Sequence, residues 1–332
     1  MSTQPEPQVP RRRWRMQRSG ALAFALLVSA LGVFAPLLAN DVPLAACVQG
    51  RWSFPAFADL VGKPPVGPDD LSWKRWAATL PTDSPDRVYM PPWPNGPIET
   101  NRATVRQAPS WAHPMGTDDT GRDVLSRLLH GAGSFVWLAI PAVLLGGVIG
   151  TLLGALAGMR RGLVDVVILR LIELFACFPM LLFLLFAAAF LGDSRIGLVV
   201  VMASIYWTSF ARIVRGELLS LLERDYVFVA RGFGVSERRL FLGHLLPQIW
   251  TSIAITAAFC AASAAVADST LSFLGLGSSG VPSSWGEMLR QGVQHAAVGA
   301  WHLWLFPSLA LIAVVVCCHQ LADRLRCTTA DQ

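Results

Sequence analysis

The side chains best placed to do chemistry in this chain are a few ionisable groups within or beside long apolar stretches. Arg170 and Glu173 are three residues apart, which puts them on one face of a helix, and Asp268 and His319 lie in later apolar runs. Arg170 and Glu173 are expected to form a local salt bridge, with a place for Glu173 in a transport pathway as the alternative. Asp268 is expected either to cap the helix end near Leu271 or to line a vestibule of that pathway.

The residue patterns of common catalytic and metal centres do not occur in the sequence. There is no Gly-x-Ser-x-Gly, no phosphate-binding Gly-x4-Gly-Lys-Ser/Thr loop, and no group of His, Cys and carboxylate residues at metal-ligand spacing. The cysteines predict no disulfide framework, because Cys47 is the one thiol expected outside the membrane and the cytoplasm. We therefore expect no catalytic residue, no metal site and no cofactor bound by this chain.

Composition places the chain in a bilayer. It has 332 residues, of which 53% are hydrophobic and 15% are charged, which is too apolar for a soluble protein of this size. Helical runs long enough to cross about 30 Å of hydrocarbon lie at 20–39, 134–157, 166–191, 196–215, 248–268 and 301–322. The sequence predicts an all-α integral membrane protein with six transmembrane helices and an external insert between spans one and two.

Basic residues near the spans predict the orientation. In a six-span arrangement they fall on one face: Arg11, Arg12, Arg13, Arg15, Arg18, Arg160, Arg161, Arg212, Arg215, Arg224, Arg231, Arg238 and Arg239. The positive-inside rule then places both termini in the cytoplasm and residues 41–132 outside. The net charge of +5 is explained by this topology, so no nucleic-acid partner is expected. The first run is interpreted as a retained anchor, with a cleavable signal peptide as the alternative.

A polar stretch at 216–246 separates the fourth and fifth apolar runs. In it, Gly234 permits a sharp turn, Ser236 is a suitable N-cap, and Pro247 suits the first turn of the next span. Three apolar residues share one face of the second half: Leu240, Phe241 and Leu245. The pattern predicts two short helices at an angle on the membrane surface, with a solvated loop carrying one amphipathic helix as the alternative.

The stretch before the second span predicts an amphipathic helix. Thr120 and Asp123 have the spacing of a capping box, and apolar residues at 124, 125, 128 and 129 lie opposite polar ones at 122, 126 and 127. We expect this helix to lie on the outer leaflet. The preceding residues 41–112 are rich in proline and tryptophan, which favours a small irregular cap held by aromatic side chains, or else a mobile linker.

The second span carries a face of small residues, because Gly146, Gly150, Gly154 and Gly158 recur every four positions. Such a face permits close approach of a neighbouring helix. We expect it to serve helix packing.

Two of these stretches resemble known families. Gly234 followed thirteen positions later by the proline of Leu246-Pro247 resembles the cytoplasmic coupling loop of ABC-transporter permeases. Residues 116–127, Gly-Thr-Asp-Asp-Thr-Gly-Arg-Asp-Val-Leu-Ser-Arg, resemble the pre-span motif of the second, C-type permease of the dipeptide and oligopeptide family. Within that family, residues 39–44 and 50–55 are similar to the Yej-type peptide and microcin C importers.

The resemblance implies the type I importer fold and roles for particular residues. The residues implied to contact an ATPase are Ala230, Arg231, Gly234, Val235, Ser236, Leu246 and Pro247. Those implied to form an outer gate or docking helix are Thr117, Asp118, Gly121, Arg122 and Asp123. Phe228 and Val229 depart from the family pattern, which has Glu and Ala there.

The predicted division of the chain follows from the spans and the resemblance. Residues 1–18 form a basic tail, residues 19–40 form the first span, and residues 41–112 form the insert. Residues 113–132 contain the outer helix, residues 133–326 form a five-helix core with the coupling loop, and residues 327–332 form a second tail. The resemblance implies a multi-pass protein of the bacterial inner membrane that imports peptides. Its implied partners are a homologous second permease, two cytoplasmic ATPases that hold ATP and Mg, an extracytoplasmic peptide-binding protein and membrane lipid. Transport of nickel or another small solute, export, and a secondary transporter or scaffold remain alternatives.

Overall fold

The computed structural model describes residues 27–60, 72–81, 86–191, 194–277 and 283–330, which are mostly helical. The strands are β1 (Ala45–Val48), β2 (Arg51–Ser53) and β3 (Arg87–Tyr89). The helices before the core are α1 (Leu27–Leu38), α2 (Pro55–Leu60) and α3 (Trp73–Thr79). Those of the core are α4 (Val124–Ser134), α5 (Ile140–Arg160), α6 (Gly162–Ala176), α7 (Met180–Leu191), α8 (Arg195–Leu221), α9 (Asp225–Gly232), α10 (Glu237–Leu240), α11 (Leu246–Phe273), α12 (Trp285–Gln294) and α13 (His302–Ala330).

Within the described part of the chain, four helical stretches are long and apolar enough to cross a bilayer, or five if a bent pair counts as one span. The bent pair is α6 and α7, which meet at 81°. The prediction of one continuous span over 166–191 is therefore wrong. The break falls at Pro179, whose ring disfavours a helical conformation in the preceding Phe178 and lacks an N–H to donate.

The first predicted span is described from Leu27 onwards, as α1. Gly32 packs so closely on α4 that an added Cβ would lie 2.7 Å from the carbonyl oxygen of Ala132. Residues 19–26 of the predicted span lie outside the described residues. The six-span arrangement thus stays a prediction, while a multi-span helical core is present.

Two wide, π-helical turns join helices that the sequence suggested were separate. Phe135–Ala139 links α4 to α5, and Phe241–Leu245 links α10 to α11. Pro141 and Pro247 lie just after these turns. A proline lacks the N–H of a regular turn and its ring crowds the carbonyl four residues before it, and a wider turn accommodates both defects.

Continuity through these turns corrects two predictions. Val124–Arg160 is a single 37-residue helical stretch, so the helix predicted to lie separately on the outer leaflet is the first part of a candidate span. Glu237–Phe273 is likewise continuous, so the second short surface helix is the start of the fifth apolar run.

The glycine face of α5 packs on α8, as the spacing predicted. An added Cβ at Gly154 would lie 2.6 Å from the carbonyl oxygen of Ala211, and one at Gly146 would lie 3.0 Å from that of Ala203. Gly150 fits against Trp207 even more tightly. Any larger side chain would push the two helices apart. α11 completes the core by packing against α5, α8, α12 and α13.

The segment between α1 and α4 is ordered around an antiparallel sheet with strand order β2-β1-β3, so the mostly helical protein also contains a small sheet in place of the predicted irregular cap. Its own small core holds Ala46 beneath Trp73 and Trp76, whose rings meet edge to face with centroids 5.8 Å apart. Aromatic anchoring is therefore confirmed for these two tryptophans. Trp111, by contrast, is fully exposed. Residues 61–71 and 82–85 of the insert lie outside the described residues.

Candidate functional site

At the end of the core where α4 begins, a buried ionic cluster joins the loop before α4 to α4 and α12. Asp118 Oδ2 lies 2.6 Å from Arg127 Nη1 and 2.6 Å from Arg122 Nε. Arg127 Nη1 also donates to Gln291 Oε1 at 2.6 Å, and Glu287 Oε1 is 3.4 Å from Arg127 Nη2. Arg127 is 1% exposed, so its charge is compensated inside the protein rather than by water.

The loop conformation that holds Asp118 follows from local sequence. Gly116 and Gly121 adopt positive φ angles of 77° and 80°, and Gly121 contacts the backbone of Asn101, leaving no room for a side chain. Asp118 Oδ1 accepts hydrogen bonds from the backbone N–H groups of Thr120 and Arg122 at 2.9 and 2.8 Å. The loop is therefore folded around this carboxylate.

Electrostatics keep Asp118 ionised. Burial alone would raise the pKa of its carboxyl group, but the guanidinium groups of Arg127 and Arg122 and the two backbone N–H donors oppose it. The resulting pKa lies below the ordinary aspartate value.

Asp123 is the residue that caps α4. Its side chain accepts from the backbone N–H of Ser126 at 2.8 Å, which confirms it as an N-terminal cap. The predicted capping box is wrong, because Thr120 bonds to Asp118 and the helix begins at Val124. Asp123 also accepts from Trp93 Nε1 at 2.9 Å and lies 2.8 Å from His113 Nδ1, so it ties the insert to the core.

The residues that were predicted to form an outer gate or docking helix are largely buried. Thr117, Asp118 and Asp123 are each no more than 2% exposed, and Arg122 is half-buried. Their polar groups contact this chain, so they form an internal clamp, and a role in an outer gate or docking helix stays a prediction. The polar side predicted for this helix is largely buried, because Ser126 and Arg127 point inward.

Sequence reasoning missed the members of this cluster that come from far along the chain. Gln291 and Glu287 lie on α12, and His302 Nε2 donates to the carbonyl of Thr117 at 3.1 Å. Trp285 Nε1 donates to the carbonyl of Leu128 at 2.9 Å. The signal available in the sequence was Arg127 itself, a charged residue at the edge of a long apolar run.

At the opposite end of the core, the short helix α9 meets α10, which is the first turn of the continuous stretch Glu237–Phe273. Gly234 has φ +78° between them, which confirms the turn. Arg231 and Glu237 bridge the turn through two hydrogen bonds of 2.9 and 3.1 Å. Ser236 is at the N-cap position of α10, although its side chain makes no capping hydrogen bond. The ion pair therefore helps fix the angle at which the helices meet.

The side chains of this region divide into an anchored and an exposed set. Fully buried Val227, Leu240 and Leu245 attach it to the core. The half-buried Ala230 and Val235 pack against the same core.

Three apolar residues project outward from α9 and its turn, and we call them the α9 patch. Phe228, Val229 and Phe233 are 63%, 57% and 85% exposed. Phe228 and Val229 are the positions at which the sequence departs from the family pattern. Of the residues predicted to contact the ATPase, Ala230 and Val235 face inward, whereas Arg231, Gly234 and Ser236 are exposed. Phe233 was not among the predicted residues.

The two predicted pathway residues are placed differently from each other. Glu173 pairs with Arg170 at 2.6 Å on the exposed side of α6, which confirms the local salt bridge. Asp268 is buried in the interior of α11, five residues before the helix ends, so it does not cap that helix.

Comparisons with known proteins identify the family and several relatives of this chain. The family model described as the inner membrane component of binding-protein-dependent transport systems matches residues 150–326. A Brucella suis protein named as a peptide transport system permease is 34% identical over 241 residues, covering 72% of this chain and 81% of the relative. A second Brucella suis protein, named as a peptide permease, is 34% identical over 242 residues, covering 72% and 80%. The glutathione transport system permease of Pectobacterium atrosepticum is 35% identical over 222 residues, covering 67% and 73%.

Proposed function

Because the chain belongs to the family of inner membrane components of binding-protein-dependent transport systems, we propose that it is the membrane-spanning permease of an ABC importer for peptides. The names of its relatives support this substrate class, since they refer to peptide and to glutathione transport and glutathione is itself a tripeptide. In this proposal the chain hydrolyses no ATP. Two cytoplasmic ATPases hold ATP and Mg, a homologous permease completes the pore, and an external binding protein delivers the peptide.

The observation that carries the proposal is the α9 patch on a rigidly anchored helix pair. Large apolar side chains that protrude together beside arginines are typical of a protein interface, because their burial by a partner is favourable. Burying Phe233 fully would contribute about 1.5–3 kcal/mol to binding. The buried anchors Val227 and Leu240 would transmit the partner's movement directly to α8 and α11.

The distribution of arginines supports the proposed orientation. Arg224, Arg238 and Arg239 surround the helix pair and are exposed, which suits the cytoplasmic face of a bacterial inner membrane. The insert with its sheet would then lie outside, beside the delivery site of the binding protein.

The test uses the whole transporter, with its second permease, ATPases and binding protein, and a labelled alanine tripeptide. Phe233→Asp should lose ATPase co-purification and uptake together, since losing about 1.5–3 kcal/mol weakens an interface roughly ten- to hundredfold. The matched control is Phe54→Asp, a 56% exposed phenylalanine of the insert, which should retain both properties. ATPase binding and uptake that survive Phe233→Asp would overturn the proposed interface. Uptake that does not need the binding protein would overturn import.

A further inference from the structure

Two grooves open side by side along one face of α11. The first has a volume of about 590 Å³ and the second about 430 Å³, and each falls in the range of small-molecule sites. Both are lined by Met180, Phe259 and Ser263. The grooves therefore meet at these residues.

The face of α11 that lines the grooves is continuous and long enough to cross a membrane. Its lining residues run from Ser252 to Thr270, and 18 residues of helix span about 27 Å, close to the thickness of the hydrocarbon layer. Hydroxyl groups recur along it at Ser252, Thr256, Ser263 and Thr270. Thr256 and Thr270 donate to backbone carbonyls four residues earlier, and Ser252 donates to Glu217. Each of these hydroxyl oxygens can still accept a hydrogen bond, so the row suits a polar solute that carries N–H groups.

The two ends of the combined groove differ in charge. The end near α10 has Glu217, whose Oε1 accepts from Ser252 Oγ at 2.8 Å, and Arg326. The other end is lined mainly by apolar residues and by Thr270. A molecule carrying both an ammonium and a carboxylate group would find an opposite charge for each at the first end.

Phe259 occupies the junction of the grooves. Its ring meets the imidazole of His319 edge to face at 5.2 Å between centroids, and the Arg326 guanidinium lies 5.2 Å from its centroid. Met180, at the start of α7 just after the bend, lies across from it, with its sulfur 3.9 Å from Ser263 Oγ. A movement of α7 or α13 would therefore shift the groups that hold this ring.

We propose that the two grooves are one substrate path along α11, in which hydroxyls bind the amide groups of a short peptide and Phe259, with Met180, closes the path between its halves. This inference rests on the proposed function and adds the location of the path, the chemistry of binding and the closing residue. Weak, repeated hydrogen bonds suit transit, since a path must bind its solute and also release it.

The first test measures water access in the assembled transporter, starting from a parent without native cysteines. Ser263→Cys is compared with Thr151→Cys, a half-buried hydroxyl position in the middle of α5 that lines neither groove. A cationic methanethiosulfonate reagent should modify the first at least roughly tenfold faster, because only a hydrated thiol ionises readily. Equal rates would overturn the proposal. Uptake of alanine tripeptide by the parent reports on the proposed function separately.

The second test concerns closure, with the reagent added from outside. Thr270→Cys should react whether or not the path is closed, whereas Ser252→Cys should react only once the junction opens. Phe259→Ala should raise the rate at which Ser252→Cys is modified roughly tenfold, towards that of a hydrated thiol. The control is Phe273→Ala, at the end of the same helix and outside both grooves, which should leave this rate unchanged. An unchanged rate in Phe259→Ala, or an equal rise in Phe273→Ala, would refute Phe259 as the closing residue.

Discussion

Removal of the buried carboxylate of Asp118 should destabilise the protein far more than removal of an accessible carboxylate. Asp118 is 1% exposed and Arg127 is 1% exposed, with 2.6 Å between their charged atoms. Asp118→Ala would leave the Arg127 charge buried without its main partner, which typically costs about 3–5 kcal/mol. Lys74 and Glu99 are equally close at 2.6 Å but are 29% and 36% exposed, so Glu99→Ala should cost at most about 1 kcal/mol.

The measurement is unfolding of the purified protein by SDS titration at neutral pH, followed by circular dichroism. Asp118→Asn combined with Arg127→Met should recover most of the stability, because an apolar replacement removes the unpaired charge. If Asp118→Ala and Glu99→Ala lowered the free energy of unfolding by the same amount, the argument that burial makes the Asp118 ion pair more important would be refuted.

Acid should reproduce the effect of losing this carboxylate. The pKa of Asp118 is lowered in the folded protein, so its contribution is present above the unfolded-state pKa of about 3.9 and is lost as the pH falls through the folded value. In Asp118→Asn, the free energy of unfolding should therefore fall less steeply as the pH is lowered. A fall as steep as that of the unmodified protein would contradict this.

Three further predictions concern the helices and their orientation. Gly234→Val places a β-branched residue at φ +78°, at a cost of about 1–3 kcal/mol, and should reduce uptake and stimulated ATP hydrolysis together without preventing membrane insertion. Gly150→Leu should disrupt the α5 and α8 contact and lower thermal stability in detergent, whereas Gly216→Leu, where an added Cβ meets nothing within 4 Å, should not. In intact cells lacking native cysteines, Trp111→Cys should react with an impermeant thiol reagent and Ser236→Cys should resist it, and labelling of Ser236→Cys without lysis would reverse the proposed topology.

Much of the architecture could be predicted because it depends on local physical chemistry. The lengths of the apolar runs predict helices that could cross a membrane. A turn with positive φ between two helical patterns favours glycine, as at Gly234. The four-residue glycine repeat predicts the face of α5 on which another helix packs closely. Asp123 was recognised as a helix-capping residue for the same reason, since a cap bonds to the backbone only three residues away.

The features that only the tertiary structure decided depend on partners distant in the chain. Arg127 looked solvated on its own helix, yet its partner Gln291 lies 164 residues further along. The spacing of residues predicts which face of a helix a side chain lies on, but not which other element packs against that face. For the same reason, the groove on α11 could not be predicted from the sequence. The exposed Phe228 and Phe233 were likewise indistinguishable from core residues, because the sequence records hydrophobicity while burial is settled by which helices pack together.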